Sequence, residues 1–243
     1  MNPLHKRSTL GGILHAALPF GSLRLLSALL GFAGGIMLAV AFFDLIPESL
    51  EFGSLTTATI GFLLGAGIMY GLDRLLPHAH FSANQELSVE NPPRVPAFRK
   101  EMLRLGYLVF FGLALHNLPE GLAIGAGLEA SPTLGLYIAI AIALHNIPEG
   151  IAAAGILRAG GLTVVRVLLL TLVIGLMTPL GAAIGLLFFH ISPMFIAGGM
   201  AFAAGAMVYI VVDELVPQSH KLNDHVSIGG LILGLMVVLV MTG

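Results

Sequence analysis

The sequence predicts an all-α membrane protein that crosses the bilayer several times. Of its 243 residues, 57% are hydrophobic and only 10% are charged. Soluble domains carry about 25% charged residues, so this composition is typical of a polytopic membrane protein. The chain also contains no cysteine, which excludes disulfides, thiolate metal sites and cysteine nucleophiles.

Apolar segments of membrane-spanning length occur throughout the chain. A spanning helix needs about 20 mostly apolar residues. Seven segments meet this condition, at 26–47, 58–76, 106–128, 133–157, 163–188, 194–216 and 227–243. The run from Leu10 to Phe20 is too short to cross alone, so it is a truncated helix, a re-entrant piece or a surface helix. We therefore expect one transmembrane domain over residues 1–243, with seven full spans and this short N-terminal helix.

The basic residues predict how the spans are oriented. They fall in alternate connections, whereas the opposite connections at 48–57, 128–132 and 189–193 contain neither Lys nor Arg. The positive-inside rule therefore places the connections near 24, 77–105, 158–166 and 217–226 in the cytoplasm. The residues that set this orientation are Arg24, Arg74, Arg94, Arg99, Lys100, Arg104, Arg158, Arg166 and Lys221. Only Lys6 and Arg7 conflict with it, and only if the short N-terminal helix crosses the membrane.

The longest connection, at 77–105, contains four prolines and two histidines near its start. Its composition predicts a flexible, solvated cytoplasmic loop. A second interpretation is transient capture of metal ions by His78 and His80, since short histidine tracts bind metals.

Two of the predicted helices share a sequence pattern. The segment 32–49 (FAGGIMLAVAFFDLIPES) resembles the segment 202–219 (FAAGAMVYIVVDELVPQS) at a constant offset of 170 residues. An odd number of crossings separates them, so they would run in opposite directions. Inverted repeats of this kind occur in secondary transporters, which bind their substrate near the bilayer midplane. The predicted plan is three helices, a central pair and three helices.

The central pair carries one hexapeptide twice, as HNLPEG at 116–121 and HNIPEG at 145–150. In each copy His and Glu are four residues apart, so they share a helix face, and Asn borders that face. Ionisable residues inside a membrane-spanning helix are energetically costly and usually functional. Pro119 and Pro148 lack an N–H, so we expect each to break its helix and free the carbonyl of Leu115 or Leu144.

Two imidazoles and two carboxylates from the twin hexapeptides would form a site for one divalent metal ion. The candidate ligands are His116, Asn117, Glu120, His145, Asn146 and Glu149. They suit Zn²⁺, Fe²⁺, Mn²⁺, Co²⁺ or Cd²⁺, while the absence of thiolates argues against Cu⁺. The alternative is that each His merely pairs with a Glu and braces two kinked helices. The twofold repetition favours the metal site.

Acidic residues lie where the repeated helices end. Asp44 and Glu48 end the first helix on the outer side and would concentrate cations at an entrance. Asp213 and Glu214 lie at the inner end of the matching helix and would receive the ion at an exit.

These motifs resemble those of the ZIP (Zrt/Irt-like) metal transporters, and particularly the bacterial GufA-like branch. The resemblance is carried by the twin HN[LI]PEG, AVAFFDLIPE at 39–48 and GLDRLLPH at 71–78, and it covers the chain from about residue 25 onward. It implies eight helices in a three-two-three inverted repeat, uptake of zinc or related ions towards the cytoplasm, and a homodimer. It also implies a location in the inner membrane if the source is bacterial, and it assigns the transport site to the six residues of the hexapeptides.

One residue departs from the family pattern. Some relatives carry Glu before the proline of the sixth helix, where this chain has Thr178. That carboxylate completes a second metal position, so we expect a single metal ion here.

Three functions are compatible with such a site. We expect a carrier with alternating access, whose partners are the metal ion and the bilayer and not a nucleic acid. Channel-like conduction is the first alternative. The second, an intramembrane metalloenzyme using metal-bound water, is disfavoured because the chain lacks His-Glu-x-x-His. We therefore expect neither an enzyme nor a cofactor other than the transported ion.

Overall fold

The computed structural model describes residues 23–75 and 95–242, and all the regular elements in these two stretches are helices. The elements are α1 (Leu23–Ala39), π1 (Val40–Leu45), α2 (Ile46–Phe52), α3 (Leu55–Leu75), α4 (Val95–Ala130), α5 (Pro132–Ala159), α6 (Val164–Phe189), α7 (Pro193–Ile210), π2 (Val211–Leu215), α8 (Val216–Leu222) and α9 (Asp224–Thr242). Within these described residues, seven helical stretches are long and apolar enough to cross a membrane, which confirms the seven predicted spans. The N-terminal run, His78 and His80 lie outside the described residues.

The predicted flexible loop at 77–105 is wrong in its second part, because α4 begins at Val95. Proline is tolerated in the first turn of a helix, where its missing N–H has no helical acceptor to serve. Pro96 therefore does not prevent the helix from starting there. The charged residues Lys100 and Arg104 are exposed on this extension, which precedes the apolar span that begins at Val109.

Glycines allow the backbones of α4 and α6 to touch. A Cβ atom at Gly121 would collide with the carbonyl of Thr178, and one at Gly181 would collide with the carbonyl of Leu118. Small residues permit such close approach between membrane helices, where hydrophobic burial gives little driving force. The helix that carries the first hexapeptide is therefore packed directly against the helix that carries Thr178.

Two further helix pairs, α1–α9 and α3–α7, are joined by backbone contacts that match each other. In each pair a glycine of one helix lies against a carbonyl of the other. The glycines of one pair correspond to those of the other at offsets of 170 or 169 residues, and so do the carbonyls. The contacts are Gly35 with Leu231, matched by Gly205 with Phe62, and Gly234 with Phe32, matched by Gly65 with Phe202.

Two buried serines form hydrogen bonds between positions that are related by the same offset of 170 residues. Ser49 Oγ donates to the carbonyl oxygen of Ala197 at 2.7 Å, and Ser27 Oγ donates to that of Ser219 at 2.8 Å. Residues 27 and 197, like 49 and 219, are 170 positions apart. The segments π1 and π2 also fall at nearly equivalent positions. These matches agree with an internal repeat, while its inverted direction stays a prediction.

The main hydrophobic core lies where α1 and α7 pack on the helices that carry the hexapeptides. It contains Met37 and Met207, which are both fully buried, as expected for residues that fill gaps in a core. Within this arrangement α4 packs against α5, α6 and α7, and α5 also packs against α1. The twin hexapeptides therefore lie in the interior of the helix bundle.

Candidate metal centre

Two crossed hydrogen bonds connect the twin hexapeptides. His116 Nε2 lies 3.2 Å from Glu149 Oε2, and His145 Nε2 lies 3.0 Å from Glu120 Oε1. Each bond joins α4 to α5, so the His of one copy contacts the Glu of the other copy. The exposed fraction of these four residues is between 0% and 4%. The structure thus brings together the two imidazoles and two carboxylates, and each His shares a helix face with the Glu of its own copy, as the spacing predicts.

The helices are not broken at the prolines, which differs from the expectation. Pro119 lies inside α4 and Pro148 lies inside α5, and both helices continue through them. A proline removes one backbone hydrogen bond, but neighbouring helices can hold the remaining turns in place within a membrane protein. The ring of Pro148 is itself buried. The His and Glu of each hexapeptide therefore stay one helical turn apart on a continuous helix.

Several buried polar atoms at the centre have no hydrogen-bond partner among the described residues. They are Glu120 Oε2, Glu149 Oε1, His145 Nδ1, Asn117 Oδ1, Asn146 Oδ1 and Thr178 Oγ1. Most buried polar atoms in proteins are hydrogen-bonded, so such a group of exceptions requires an explanation. Five of the six are carboxylate, amide or hydroxyl oxygens, and a cation would satisfy their lone pairs.

Three residues are placed to hold one ion between them. His116, Glu120 and Glu149 each offer one ligand atom, and these atoms all lie within 4.8 Å of one another. His145 is outside this group and reaches it through its hydrogen bond to Glu120. A hydrogen bond of this kind fixes the orientation of a carboxylate that binds a metal.

The two asparagines have different surroundings, which their identical motifs did not predict. Asn117 is buried, and its Nδ2 donates to the carbonyl oxygen of Ile174 on α6 at 3.1 Å. Asn146 is only partly buried. Because the amide nitrogen of Asn117 is committed to α6, its Oδ1 is the atom that remains for a ligand.

The predicted entrance and exit residues lie in the two π-helical segments or just after them. Asp44 is buried within π1, and Glu48 follows in α2 with intermediate exposure. Asp213 and Glu214 lie in π2 and are partly buried. π-Helical turns often occur at functional sites. None of these four carboxylates belongs to the group formed by His116, Glu120 and Glu149.

One acidic residue near the predicted exit was missed by sequence reasoning. Tyr209 Oη donates to Asp73 Oδ2 at 3.3 Å, which places the end of α3 beside the helix that leads into π2. Tyr70 packs edge-on against Tyr209, and the Arg74 guanidinium lies 5.2 Å from the centre of the Tyr70 ring. The signal was present in the sequence, because Asp73 is the acidic residue of GLDRLLPH.

Comparison with known proteins identifies the family. The family model described as "ZIP Zinc transporter" matches residues 94–242, which is more than half of the chain and includes both hexapeptides. The chain belongs to the ZIP family. With seven candidate spanning helices among its described residues, it is a multi-pass integral membrane protein of a transporter family.

Relatives of this ZIP protein are similar over nearly their whole length. "Zinc transporter ZupT" of Corynebacterium aurimucosum is 36% identical over an alignment that is 246 residues long. The alignment covers 96% of this chain and 91% of the relative. The proteins of the same name from Escherichia coli O7:K1 and from Escherichia coli K12 are each 37% identical over 230 residues. These cover 90% of this chain and 87% of each relative.

Proposed function

We propose that this ZIP protein takes up zinc towards the cytoplasm and binds it during transport at the crossed His/Glu centre. The observation that carries the proposal is the buried group of His116, Glu120 and Glu149, whose ligand atoms lie within 4.8 Å of one another. Family membership and the names of the relatives support zinc as the substrate. The two carboxylates would balance the charge of a divalent ion away from water.

The donor set fits zinc well. Zn²⁺ binds imidazole nitrogen and carboxylate oxygen at about 2.0–2.2 Å, and it takes four ligands in most sites. Three of these ligands would come from His116, Glu120 and Glu149. The fourth would be the side-chain oxygen of Asn117 or Asn146, a nitrogen of His145 or a water molecule. Fe²⁺, Mn²⁺, Co²⁺ and Cd²⁺ accept similar donors, so competition among them decides the preference. Because Thr178 adds no carboxylate, one ion per chain is expected.

The acidic residues of the π-helical segments would mark the two ends of the path. Asp44 and Glu48 would attract the cation at the outer side, and Asp213 and Glu214 would receive it at the inner side. In a carrier, the centre would open to one side at a time. In a channel, both sides would be open together. Uptake that saturates at low zinc concentration and depends steeply on temperature supports the carrier.

Radioactive zinc uptake into proteoliposomes tests the function. Replacement of Glu120→Ala or Glu149→Ala should reduce uptake by at least about tenfold, because each change removes an anionic ligand of the ion. Glu129→Ala is the matched control, since Glu129 pairs with the exposed His190 at the end of the bundle and not with the centre, so this variant should transport normally. Undiminished uptake by both the Glu120→Ala and the Glu149→Ala variants would contradict the proposal that this centre binds zinc during transport.

The same vesicles separate transport from catalysis. A transporter moves zinc across a sealed bilayer when no other substrate is present, whereas a metalloenzyme needs only bound zinc and a molecule to convert. Retained zinc with no movement across the bilayer would favour the enzyme.

A further inference from the structure

We propose that the predicted cytoplasmic ends of α4, α5 and α6 form a binding site for the headgroups of anionic phospholipids. Four exposed basic residues lie there: Lys100, Arg104, Arg158 and Arg166. This basic end, defined by these four residues, has no part in the zinc centre. The proposal therefore goes beyond zinc transport and does not depend on it.

Packing brings the basic end together from three separate stretches of chain. A Cβ atom at Gly160, in the turn after α5, would lie 2.9 Å from the backbone nitrogen of Leu103 on α4. Leu103, Leu157, Leu162 and Val167 also belong to one hydrophobic cluster, which connects the start of α4, the end of α5 and the start of α6. Each of the exposed residues Arg104, Arg158 and Arg166 is a direct sequence neighbour of a cluster member.

Three of these basic residues lie at or near the ends of candidate spans, where lipid headgroups are expected. Arg158 is at the end of its span and Arg166 at the start of the next, while Arg104 precedes the span that begins at Val109 by about one turn. Beside Arg166, the apolar side chains of Val164, Val165, Leu168 and Leu169 are between 56% and 66% exposed, which is expected for a lipid-facing surface. An anion held here would therefore have acyl chains next to apolar protein.

Charge distinguishes this end from the rest of the same membrane face. The stretches 95–108 and 156–168 contain five basic residues and one acidic residue, Glu101. The ends of α1, α3, π2, α8 and α9 differ, because Asp73, Asp213, Glu214 and Asp224 lie there beside Arg24, Arg74 and Lys221. The positive-inside rule depends on Lys and Arg and barely on Asp and Glu, so orientation alone does not require one end to be so poor in carboxylates. Anionic headgroups are attracted by basic clusters and repelled by carboxylates.

Native mass spectrometry of the full-length protein in detergent tests the site. Membrane orientation has no influence in micelles, so the topological role of these residues is removed from the readout. Phosphatidylglycerol and phosphatidylcholine are added together, and the ratio of the two bound lipids is measured. We expect a preference for phosphatidylglycerol that decreases about fivefold or more in the double variant Arg104→Gln/Arg166→Gln. The conservative variant Arg104→Lys/Arg166→Lys should keep most of it.

A matched variant, Arg24→Gln/Lys221→Gln, removes the same charge from the acid-containing ends and should change the ratio less than about twofold. The proposal is overturned if the unmodified protein shows no preference or if both Gln variants lose it equally. The proposal is also overturned if inorganic phosphate, added at the same concentration as the lipid, displaces phosphatidylglycerol. The site would then bind free anions. Thermal unfolding of each variant confirms that it is folded.

Discussion

His145 and Glu120 lie 25 positions apart on neighbouring helices, and the Nε2 atom of one is 3.0 Å from the Oε1 atom of the other. Neither side chain reaches solvent. The imidazole therefore supplies the hydrogen bond that a buried carboxylate requires, and it holds Glu120 so that Oε2 remains without a partner among the described residues. One oxygen of Glu120 is used to fix its orientation and the other is left for the ion.

Replacing His145→Leu should destabilise the metal-free protein. It leaves the Glu120 carboxylate buried without its donor, and breaking a buried pair in this way costs about 3 kcal/mol or more. The expected result is a clear decrease of the thermal unfolding midpoint in detergent with a chelator present.

The double variant His145→Leu/Glu120→Leu supplies the comparison, because it removes both partners and should regain most of the lost stability. His190→Leu, at a side chain that is 84% exposed, should leave the midpoint unchanged. If His145→Leu melts like the unmodified protein, the hydrogen bond has no structural importance.

The two glycines that end the hexapeptides should respond in opposite ways to alanine. At Gly121 a Cβ atom would collide with the carbonyl of Thr178 and lie 2.7 Å from the Cα atom of Gly181. Gly121→Ala should therefore separate α4 from α6 and sharply reduce the yield of folded protein. Among the described residues, no atom of another helix lies within 4 Å of a Cβ at Gly150, so this glycine, unlike Gly121, makes no close contact between these helices.

Gly150→Ala is accordingly the control for Gly121→Ala. Alanine is favoured over glycine inside a helix by about 0.8–1.0 kcal/mol, so this variant should be as stable as the unmodified protein or slightly more so. Size-exclusion profiles and melting curves of the two variants give the answer. Equal behaviour would show that the α4–α6 contact does not limit folding.

Zinc uptake should decrease as the pH is lowered from about 7 to about 5, because protons and zinc compete for the same imidazole and carboxylate lone pairs. Binding of the metal releases protons, so an excess of protons shifts the equilibrium away from the loaded protein. Uptake measured at a constant free zinc concentration tests this. Uptake that is constant or increases over this range would indicate that metal binding at these ligands does not control the rate.

The orientation can be mapped with single cysteines, since the natural chain has none. Ser131→Cys, between α4 and α5, should react with a membrane-impermeant maleimide added outside intact cells. Thr163→Cys, between α5 and α6, should react only after the membrane is opened. The reverse labelling pattern would invert the direction of transport proposed above.

The sequence was sufficient to predict the seven spans. It also predicted that the His and Glu residues of the two hexapeptides converge. Membrane insertion depends on long apolar segments, which a linear sequence displays directly. The position of His four residues before Glu places both on one face of each central helix, and the crossed contacts form where these two faces pack together. Each matched glycine or serine contact has one partner in the repeated segments 32–49 and 202–219 and the other partner outside them, so the repeat predicted only half of each contact.

Other features depend on packing that no local pattern displays. The segments π1 and π2 combine apolar residues with Asp44, Asp213 and Glu214, and this composition does not distinguish π-helical from α-helical hydrogen bonding. The difference between Asn117 and Asn146 arises because α6 offers the carbonyl of Ile174 to only one of them. The early start of α4 was missed because charged residues on a helix that extends beyond the membrane resemble those of a loop.

The contacts between glycine and carbonyl groups have a consequence for how this protein can vary over time. At Gly35, Gly65, Gly205 and Gly234 the opposing group is backbone, so no exchange of a neighbouring side chain can make room for a larger residue. No substitution at a second position would therefore make a larger residue acceptable at these four glycines. The exposed apolar surfaces of α3, α6 and α9 have no backbone group of another described helix against them, so we expect more variation there, while these four positions should remain glycine across distant homologues.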